Sequence, residues 1–267
     1  MFFTIFKQGF IMKKFLAGSI VLSSLLFAGG DIEPTVVEEP AVETKAWSFE
    51  LEPYAMITNI AGDTKLYPQV GGAIDVDFGT IFDNLDMAAM IHMEAHHESG
   101  WGLWIDYGFM DLSNDVDPIA GITSVRVRQG VLEVMGLYRQ MLASGYIEYL
   151  AGVRWWDNDL ELNTIYANLD KQADWVDGLI GLRYTHILNE NWKLRVHGDI
   201  GAGGADLTYA ATAGVIYTIN DLIDIDVKYK ATWVDYEDGT VGVPGQNDYF
   251  LYDTVTHGLV LGMNFKF

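Results

Sequence analysis

The chain has 267 residues, a formal net charge of -21, and 8 Trp, 14 Tyr, 13 Phe, 28 Gly and no Cys. The acidic balance argues against nucleic-acid binding, because a polyanion would repel this chain. The lack of Cys excludes disulfides, cysteine-ligated metals and a lipoprotein anchor. Beyond the N-terminal segment no apolar run is long enough for a membrane-spanning helix. Many aromatics and glycines with a mean hydropathy of only +0.12 suit a transmembrane β-barrel, since half of each strand avoids lipid.

The N-terminal segment has the order of a secretory signal peptide. Met12-Lys13-Lys14 is basic, Phe15 to Phe27 is apolar, and Ala28-Gly29-Gly30 supplies small residues for cleavage. We predict a signal peptide over residues 1–30, with Met12 as an alternative initiator. Residues 31–46 contain prolines and acidic residues without apolar periodicity, which predicts a disordered acidic periplasmic tail.

Alternation of apolar and polar residues begins at Trp47 and continues to the last residue. Leu103 and Ile105, for example, share one face of a strand, while Trp104 and Asp106 share the other. The pattern predicts an all-β fold for residues 47–267: a transmembrane antiparallel up-and-down β-barrel of about ten strands. Eight or twelve strands are the alternatives. The predicted strands lie at residues 47–58, 87–97, 101–112, 124–141, 146–159, 175–188, 192–202, 207–219, 223–236 and 250–267.

The connections between these strands alternate in length. Short segments rich in Gly, Asn and Ser lie at 98–100, 143–145, 189–191 and 220–221 and predict tight turns. Longer segments lie at 61–86, 113–123, 160–174 and 237–249. This alternation is typical of a bacterial barrel with periplasmic turns and extracellular loops. Both termini would then be periplasmic, which requires an even number of strands.

The first long loop is predicted to contain a short helical turn. Thr80 followed by Asp83 is a weak variant of a capping box. An extended hairpin over residues 67–78 is the alternative, and the two can coexist. The apolar side of the helical turn would consist of Ile81, Phe82 and Leu85.

The last strand ends on an aromatic residue and has apolar residues at alternate positions. It resembles the C-terminal strand of Gram-negative outer-membrane β-barrels, where this pattern is the assembly signal. The resemblance implies contact with the barrel-assembly machinery, and with outer-membrane lipid and lipopolysaccharide. The residues of this signal are Leu259, Leu261, Met263, Phe265 and Phe267.

Two internal segments, residues 74–86 and 101–107, resemble a family of Gram-negative outer-membrane β-barrel proteins of the porin-like superfamily. Later matches are Gly152-Val153-Arg154-Trp155-Trp156, Trp175-Val176-Asp177, Gly181-Leu182-Arg183 and Gly198-Asp199-Ile200-Gly201. The resemblance implies the barrel fold and an outer-membrane location over most of residues 47–267. It lends no activity and no cofactor.

Charged residues of both signs occupy the inward phase of the strands, that is, the alternate positions whose side chains point into the barrel. In a barrel this narrow, we expect them to pair across the lumen and fill it. His92, Glu94 and His96 also share one strand face, which makes them weak candidates for a metal site. The predicted lumen charge network consists of Glu94, Asp106, Glu133, Arg154, Asp177, Arg183 and Asp199.

Function is less constrained than fold. The first hypothesis is a structural or surface-interaction barrel with a largely filled lumen, displaying acidic loops such as 237–248. The second is a narrow, porin-like passive channel for small solutes. The third is an outer-membrane protease or lipid-modifying enzyme. An omptin-like protease would need Asp111 or Asp235 near a histidine, and His257 is the nearest candidate in the sequence.

Overall fold

A computed structural model describes residues 46–66, 70–119, 122–165, 168–239 and 249–267. The predicted signal peptide over residues 1–30 lies outside the described residues, as does the predicted tail up to residue 45. Within the described part of the chain no helix is both long and apolar enough to cross a membrane.

Strands make up nearly all of the described structure. The elements are β1 Trp47–Leu66, β2 Val70–Val76, α1 Phe78–Asp83, β3 Leu85–His97, β4 Trp101–Ile119, β5 Ile122–Leu142, β6 Gly145–Thr164, β7 Asn168–Ile187, β8 Trp192–Gly203, β9 Leu207–Asn220, β10 Ile223–Asp238 and β11 Phe250–Lys266.

The sheet closes on itself into a barrel. Neighbouring strands pair antiparallel in the order β11 to β3, then β1, and β1 also pairs with β11. β2 pairs only with the upper part of β1, so the eleven strands contribute ten to the closed wall. The predicted ten-stranded antiparallel barrel is confirmed. Closure leaves no free sheet edge between the first and last strands, where Phe49 and Phe267 exchange two backbone hydrogen bonds.

The two ends of the barrel differ. Tight turns at 98–100, 143–144, 188–191 and 221–222 form what we call the turn end, as predicted. The prediction of long irregular loops at the opposite, hairpin end was wrong for 113–123 and 160–174. There β4 and β5, and likewise β6 and β7, continue as paired strands. In β6 and β7 the outward residues of these extensions are polar and Leu160 and Leu162 point inward, the reverse of the alternation elsewhere in β6. The sequence therefore shows no apolar outer face there.

The helical turn exists but begins differently from the prediction. Asp77, and not Thr80, is the N-cap, because its side chain accepts a hydrogen bond of 2.8 Å from the backbone N–H of Thr80. This bond holds the pKa of Asp77 below its usual range. Ile81 is buried, whereas Phe82 is 63% exposed and Leu85 already belongs to β3. The predicted extended hairpin coexists with the helix as β1 and β2, although residues 67–69 lie outside the described residues.

Side chains alternate between the outer surface and the lumen along the wall strands. Met135 of β5 points inward and is fully buried, whereas Leu103 of the neighbouring β4 points outward and is 41% exposed. The outer surface is therefore apolar, and most of the charged groups in the wall lie inside.

Glycines of the inward phase make room for these charged groups. A Cβ atom added to Gly262 would lie 2.1 Å from Oε1 of Glu52. That oxygen is buried and accepts a hydrogen bond of 2.8 Å from Nζ of Lys228. Gly262 is thus required by the close approach of a neighbouring side chain.

We expect Gly262→Ala to lower the free energy of unfolding by about 1–3 kcal/mol, because the new methyl group displaces Glu52 from Lys228. The matched control is Gly136→Ala. Its added Cβ would face outward and meet Ala151 O at an ordinary 3.8 Å. Guanidinium unfolding of both variants in detergent micelles measures the difference, and equal midpoints would contradict the packing described here.

Candidate functional site

Arg183 is the centre of the charged cluster nearer the turn end. Its two terminal nitrogens donate to the two oxygens of Glu94 at 2.5 and 2.6 Å. Its Nε donates to Glu148 at 2.5 Å, and its guanidinium carbon lies 4.6 Å from the ring centroid of Trp104. The guanidinium is buried, so the two carboxylates supply the compensation that burial of its charge requires.

Two histidines complete this cluster. His92 Nε2 lies 2.7 Å from Glu94, and His92 Nδ1 lies 3.2 Å from Asp106. His96 Nε2 lies 2.8 Å from the other oxygen of Glu94. Glu94 thereby joins both histidines to Arg183.

The weak metal candidates His92, Glu94 and His96 do lie close together. The set of side chains best placed to ligate an ion is different, however, and consists of Glu94, His96 and Glu148, whose ligand atoms lie within 4.8 Å of one another. Both of these carboxylates already bind the guanidinium of Arg183. A cation would therefore have to compete with a positive charge that the protein supplies itself.

Arg154 is the centre of a second cluster. Its side chain donates to Glu133 at 2.9 Å, to Asp199 at 3.0 Å and to the hydroxyl of Thr208 at 2.9 Å. All of these groups are buried. Lys230 links the two clusters, because its Nζ lies 3.8 Å from Glu133 and 4.0 Å from Asp106.

The structure brings together all residues of the predicted network except Asp177. That carboxylate is fully buried but accepts hydrogen bonds from Trp175 Nε1 and from the backbone N–H of Ala205. Glu148 and Lys230 were missed as network members, although their inward phase was visible in the sequence. Glu148 lies opposite Arg183 in the ladder between β6 and β7, and this pairing can be recognised only when the register of the two strands is known.

An aromatic cluster fills the lumen toward the hairpin end. The rings of Trp175 and Tyr236 stack with centroids 3.8 Å apart, and Trp156 stacks on Trp175 at 5.6 Å. Tyr252 packs against both tryptophans, and its hydroxyl accepts a hydrogen bond of 2.9 Å from Gln129. These buried rings form a plug above the charged clusters.

The described part of the lumen contains at least two small cavities. The polar cavity, of about 50 Å³, includes His197 and Asp199 in its lining. The methionine cavity, of about 80 Å³, is named for Met56, Met90 and Met110 in its lining. Tyr54, Asp106, Glu133 and Lys230 line both cavities and so form the partition between them. Spaces of this size hold ordered water or a small molecule.

The residues considered for a protease do not form a catalytic group among the described contacts. Asp111 accepts two hydrogen bonds from Arg126, which hold the pKa of this carboxyl below its usual range. Asp235 lies opposite Asp253 in the ladder of β10 and β11. His257 Nδ1 lies 2.7 Å from the hydroxyl of Tyr229 on the outer surface.

Similar solved structures are known, although no family model and no curated protein matches the chain. The outer membrane protease OmpT from Escherichia coli is 9% identical, with a TM-score of 0.48 over 84% of this chain and 98% of that one. The translocator domain of the autotransporter NalP from Neisseria meningitidis is 13% identical, with a TM-score of 0.41 over 85% of this chain and 90% of that one. The attachment invasion locus protein Ail of Yersinia pestis is 10% identical, with a TM-score of 0.36 over 83% and 99%. Function therefore has to be argued from the side chains of this chain.

We expect Arg183→Met to lower the free energy of unfolding by about 3–5 kcal/mol, because it leaves Glu94 and Glu148 as buried charges without their main partner. The control is Arg126→Met, which removes an arginine from the outer surface and should cost at most about 1 kcal/mol. Guanidinium unfolding in micelles compares the two. A loss for Arg183→Met no larger than that for Arg126→Met would show that the buried cluster contributes little to stability.

Proposed function

We propose that this protein is an integral β-barrel of a Gram-negative outer membrane, with a structural or surface-interaction role and a resting lumen that conducts little. The observation that carries the proposal is the combination of an apolar outer surface with a lumen filled by paired charges and stacked aromatic rings. The N-terminal segment, read as a signal peptide, supports export from the cytoplasm.

The outer surface supports insertion into a bilayer. On β4 the outward side chains from Trp101 to Phe109 are apolar or aromatic, and the first outward charge is Asp111. On β10 the outward residues from Ile225 to Trp233 precede Asp235 in the same way. Each stretch is about nine residues long, which is what a tilted strand needs to cross a bilayer. We call these outward apolar stretches the apolar belt. Beyond it the strands continue as hairpins whose outward residues are mostly polar.

Aromatic pairs at the turn end support an interfacial position for that end. Trp101 packs on Tyr138 at 5.1 Å and Trp192 on Tyr217 at 4.8 Å, and all four rings are exposed on the outside. Exposed amphipathic rings at one level are typical of the membrane–water interface.

The surface-interaction role rests on the hairpin end. There β6 and β7 carry outward acidic residues such as Asp157 and Asp174, and Asp235 and Asp253 face outward from β10 and β11. Arg126 and Arg128 are the outward basic residues of β5, and both are paired with carboxylates. A projecting acidic surface of this kind suits contact with cations or with basic partners.

The filled lumen predicts little or no steady conductance in planar bilayers. Combining Arg154→Ala with Arg183→Ala should raise the conductance, because it removes the two guanidinium groups that cross-link the charged clusters. The control combines Arg126→Ala with Arg128→Ala, which removes two arginines from the outer surface and should leave the conductance unchanged. Heat-modifiable migration on gels verifies that each variant is folded.

Large, stable conductance steps from the unmodified protein would contradict the closed lumen and favour the narrow-channel hypothesis instead. A helix-rich circular dichroism spectrum, or a soluble periplasmic product, would contradict the membrane barrel itself. The two results are therefore distinguishable.

The last strand provides a test of assembly. Phe267 is 63% exposed and closes the barrel through two backbone hydrogen bonds to Phe49. We expect Phe267→Asp to reduce the amount of protein in the outer membrane, because a charge at the apolar end of this strand weakens recognition by the assembly machinery. Leu222→Asp is the control, since Leu222 is equally exposed at the same end but lies in a turn. Equal outer-membrane levels for the two variants would argue against the assembly signal.

A further inference from the structure

The barrel wall is interrupted between β1 and β3. The ladder joining these strands runs from Trp47 opposite His97 to Pro53 opposite Ile91 and ends there. Above it, residues 54–59 of β1 remain paired with β11, and residues 87–90 of β3 remain paired with β4, but the two stretches do not pair with each other. Pro53 has no N–H to donate, which suits the last position of a ladder. We call this interruption the wall opening.

The burial of β3 changes at the wall opening. Below it buried inward residues alternate with more exposed ones, as in the series from His92 to His96. Above it, residues 86–89 are exposed in both phases, and Met87 reaches 55% exposure. Ala88 is exposed although its phase is inward, as expected where a neighbouring strand is missing on one side.

Helix α1 forms the upper border of the wall opening. Ile81 of α1 packs against Ile60 of β1 and Met110 of β4, so the helix bridges the two sides of the opening. The side chain of Asn59 also accepts a hydrogen bond of 3.0 Å from the backbone N–H of Phe78. These contacts fix α1 to β1 above the place where the strands separate.

The wall opening begins within the apolar belt and extends to its edge at the hairpin side. Its lower border, Ile91, is paired with Tyr107, and Ala89 is paired with Phe109 on the apolar outer face of β4. On the other side, Ala55 and Ile57 are paired with Leu261 and Leu259. In a membrane the lower part of the opening would therefore face hydrocarbon, where unpaired backbone groups are costly unless they line a cavity. Its upper part, where Met87 is paired with Asp111, lies at the edge of the belt.

The methionine cavity lies directly behind the wall opening. Met56 and Thr58 from one side of the opening and Met90 from the other side both line it. Val131 and Trp156 add to its apolar wall, while Asp106, Glu133 and Lys230 form its floor. Flexible, polarizable methionine side chains adapt to apolar molecules of varied shape.

Access to this cavity from water is obstructed at both ends of the barrel. The partition of Tyr54, Asp106, Glu133 and Lys230 separates it from the polar cavity and the Arg183 cluster. Toward the hairpin end lie the stacked rings of the aromatic plug and the α1 contacts. Among the described residues, the side of the cavity at Met56, Thr58 and Met90 is the one that borders the wall opening, and this side faces the apolar outer surface.

We propose that the wall opening is a lateral port through which a small, mainly apolar molecule enters the methionine cavity from the hydrocarbon layer of the membrane. This inference rests on the proposed membrane function. The cavity of about 80 Å³ takes a molecule of a few carbon atoms, or the leading part of a larger one whose remainder lies in the opening. The charged floor holds the molecule at this level and separates it from the rest of the lumen.

The absence of native Cys allows a direct test by thiol modification. Met90→Cys places a thiol beside the wall opening, and Met135→Cys places one in the same inward phase behind unbroken ladders on both sides. The proteins are reconstituted into phosphatidylcholine vesicles. They are treated with uncharged methyl methanethiosulfonate or with its charged sulfonatoethyl analogue, and the mass increase is followed over time.

The uncharged reagent should modify Met90→Cys at least about tenfold faster than Met135→Cys, because thiol reactivity follows access. The charged reagent should modify neither. In a variant that combines Ala88→Trp with Met90→Cys, the uncharged reagent should modify the thiol about fivefold or more slowly, because the tryptophan fills the opening. Ala151→Trp, an outward and exposed alanine on an intact ladder, should not slow it.

Equal, slow modification of both thiols in a heat-modifiable, vesicle-embedded barrel would overturn the port and leave the membrane proposal intact. Modification of Met90→Cys by the charged reagent at the same rate would replace the port by an aqueous route. Modification in detergent but not in vesicles would identify a lipid chain as the occupant and overturn the assignment to a small molecule. A protein that does not insert into vesicles would overturn the membrane proposal and the port with it.

Discussion

The neutralisation of buried charge inside a closed sheet is the constraint on which the structure depends. Ten strands enclose a lumen too narrow for bulk water, so each inward charge must find a partner within the protein. Arg183 and Arg154 meet this requirement by binding two carboxylates each, from several different strands. The same bonds tie opposite sides of the wall together, so electrostatic compensation also sets the cross-section of the barrel.

The remaining features follow from this arrangement. With the charges inside, the outward phase of every strand can be apolar, and the hydrophobic effect favours burial of that surface in a bilayer. The aromatic plug around Trp175 fills the lumen above the charges, and the polar and methionine cavities are both small. The filled lumen and the acidic hairpin end are the two features on which the proposed surface role rests.

The wall opening is the place where the regular pattern is broken. Residues 77–90 connect the ladder between β1 and β2 to the ladder between β1 and β3, and on β1 the same two ladders are joined by residues 54–59 alone. The additional residues of the longer segment form α1 and the unpaired upper part of β3. Departures from regular pairing are often functional, because an unpaired edge has a free-energy cost that the fold must offset elsewhere. Here the departure lies beside a cavity lined by methionines.

The sequence by itself predicted the barrel, about ten strands, their two faces and the tight turns, because a period of two requires only local geometry. The choice of ten over eight or twelve depended on the structure, in which β2 pairs with β1 outside the closed wall. It also revealed which charges point inward, including Glu148 and Lys230. The partners of these charges depended on register and closure, which bring Glu94 to Arg183 across 89 positions of the chain. The paired hairpins beyond the apolar belt, the Asp77 cap and the wall opening were decided by the tertiary structure alone. The hairpin extension of β6 has no apolar outer face, and an interruption between two strands becomes visible only when both are placed side by side.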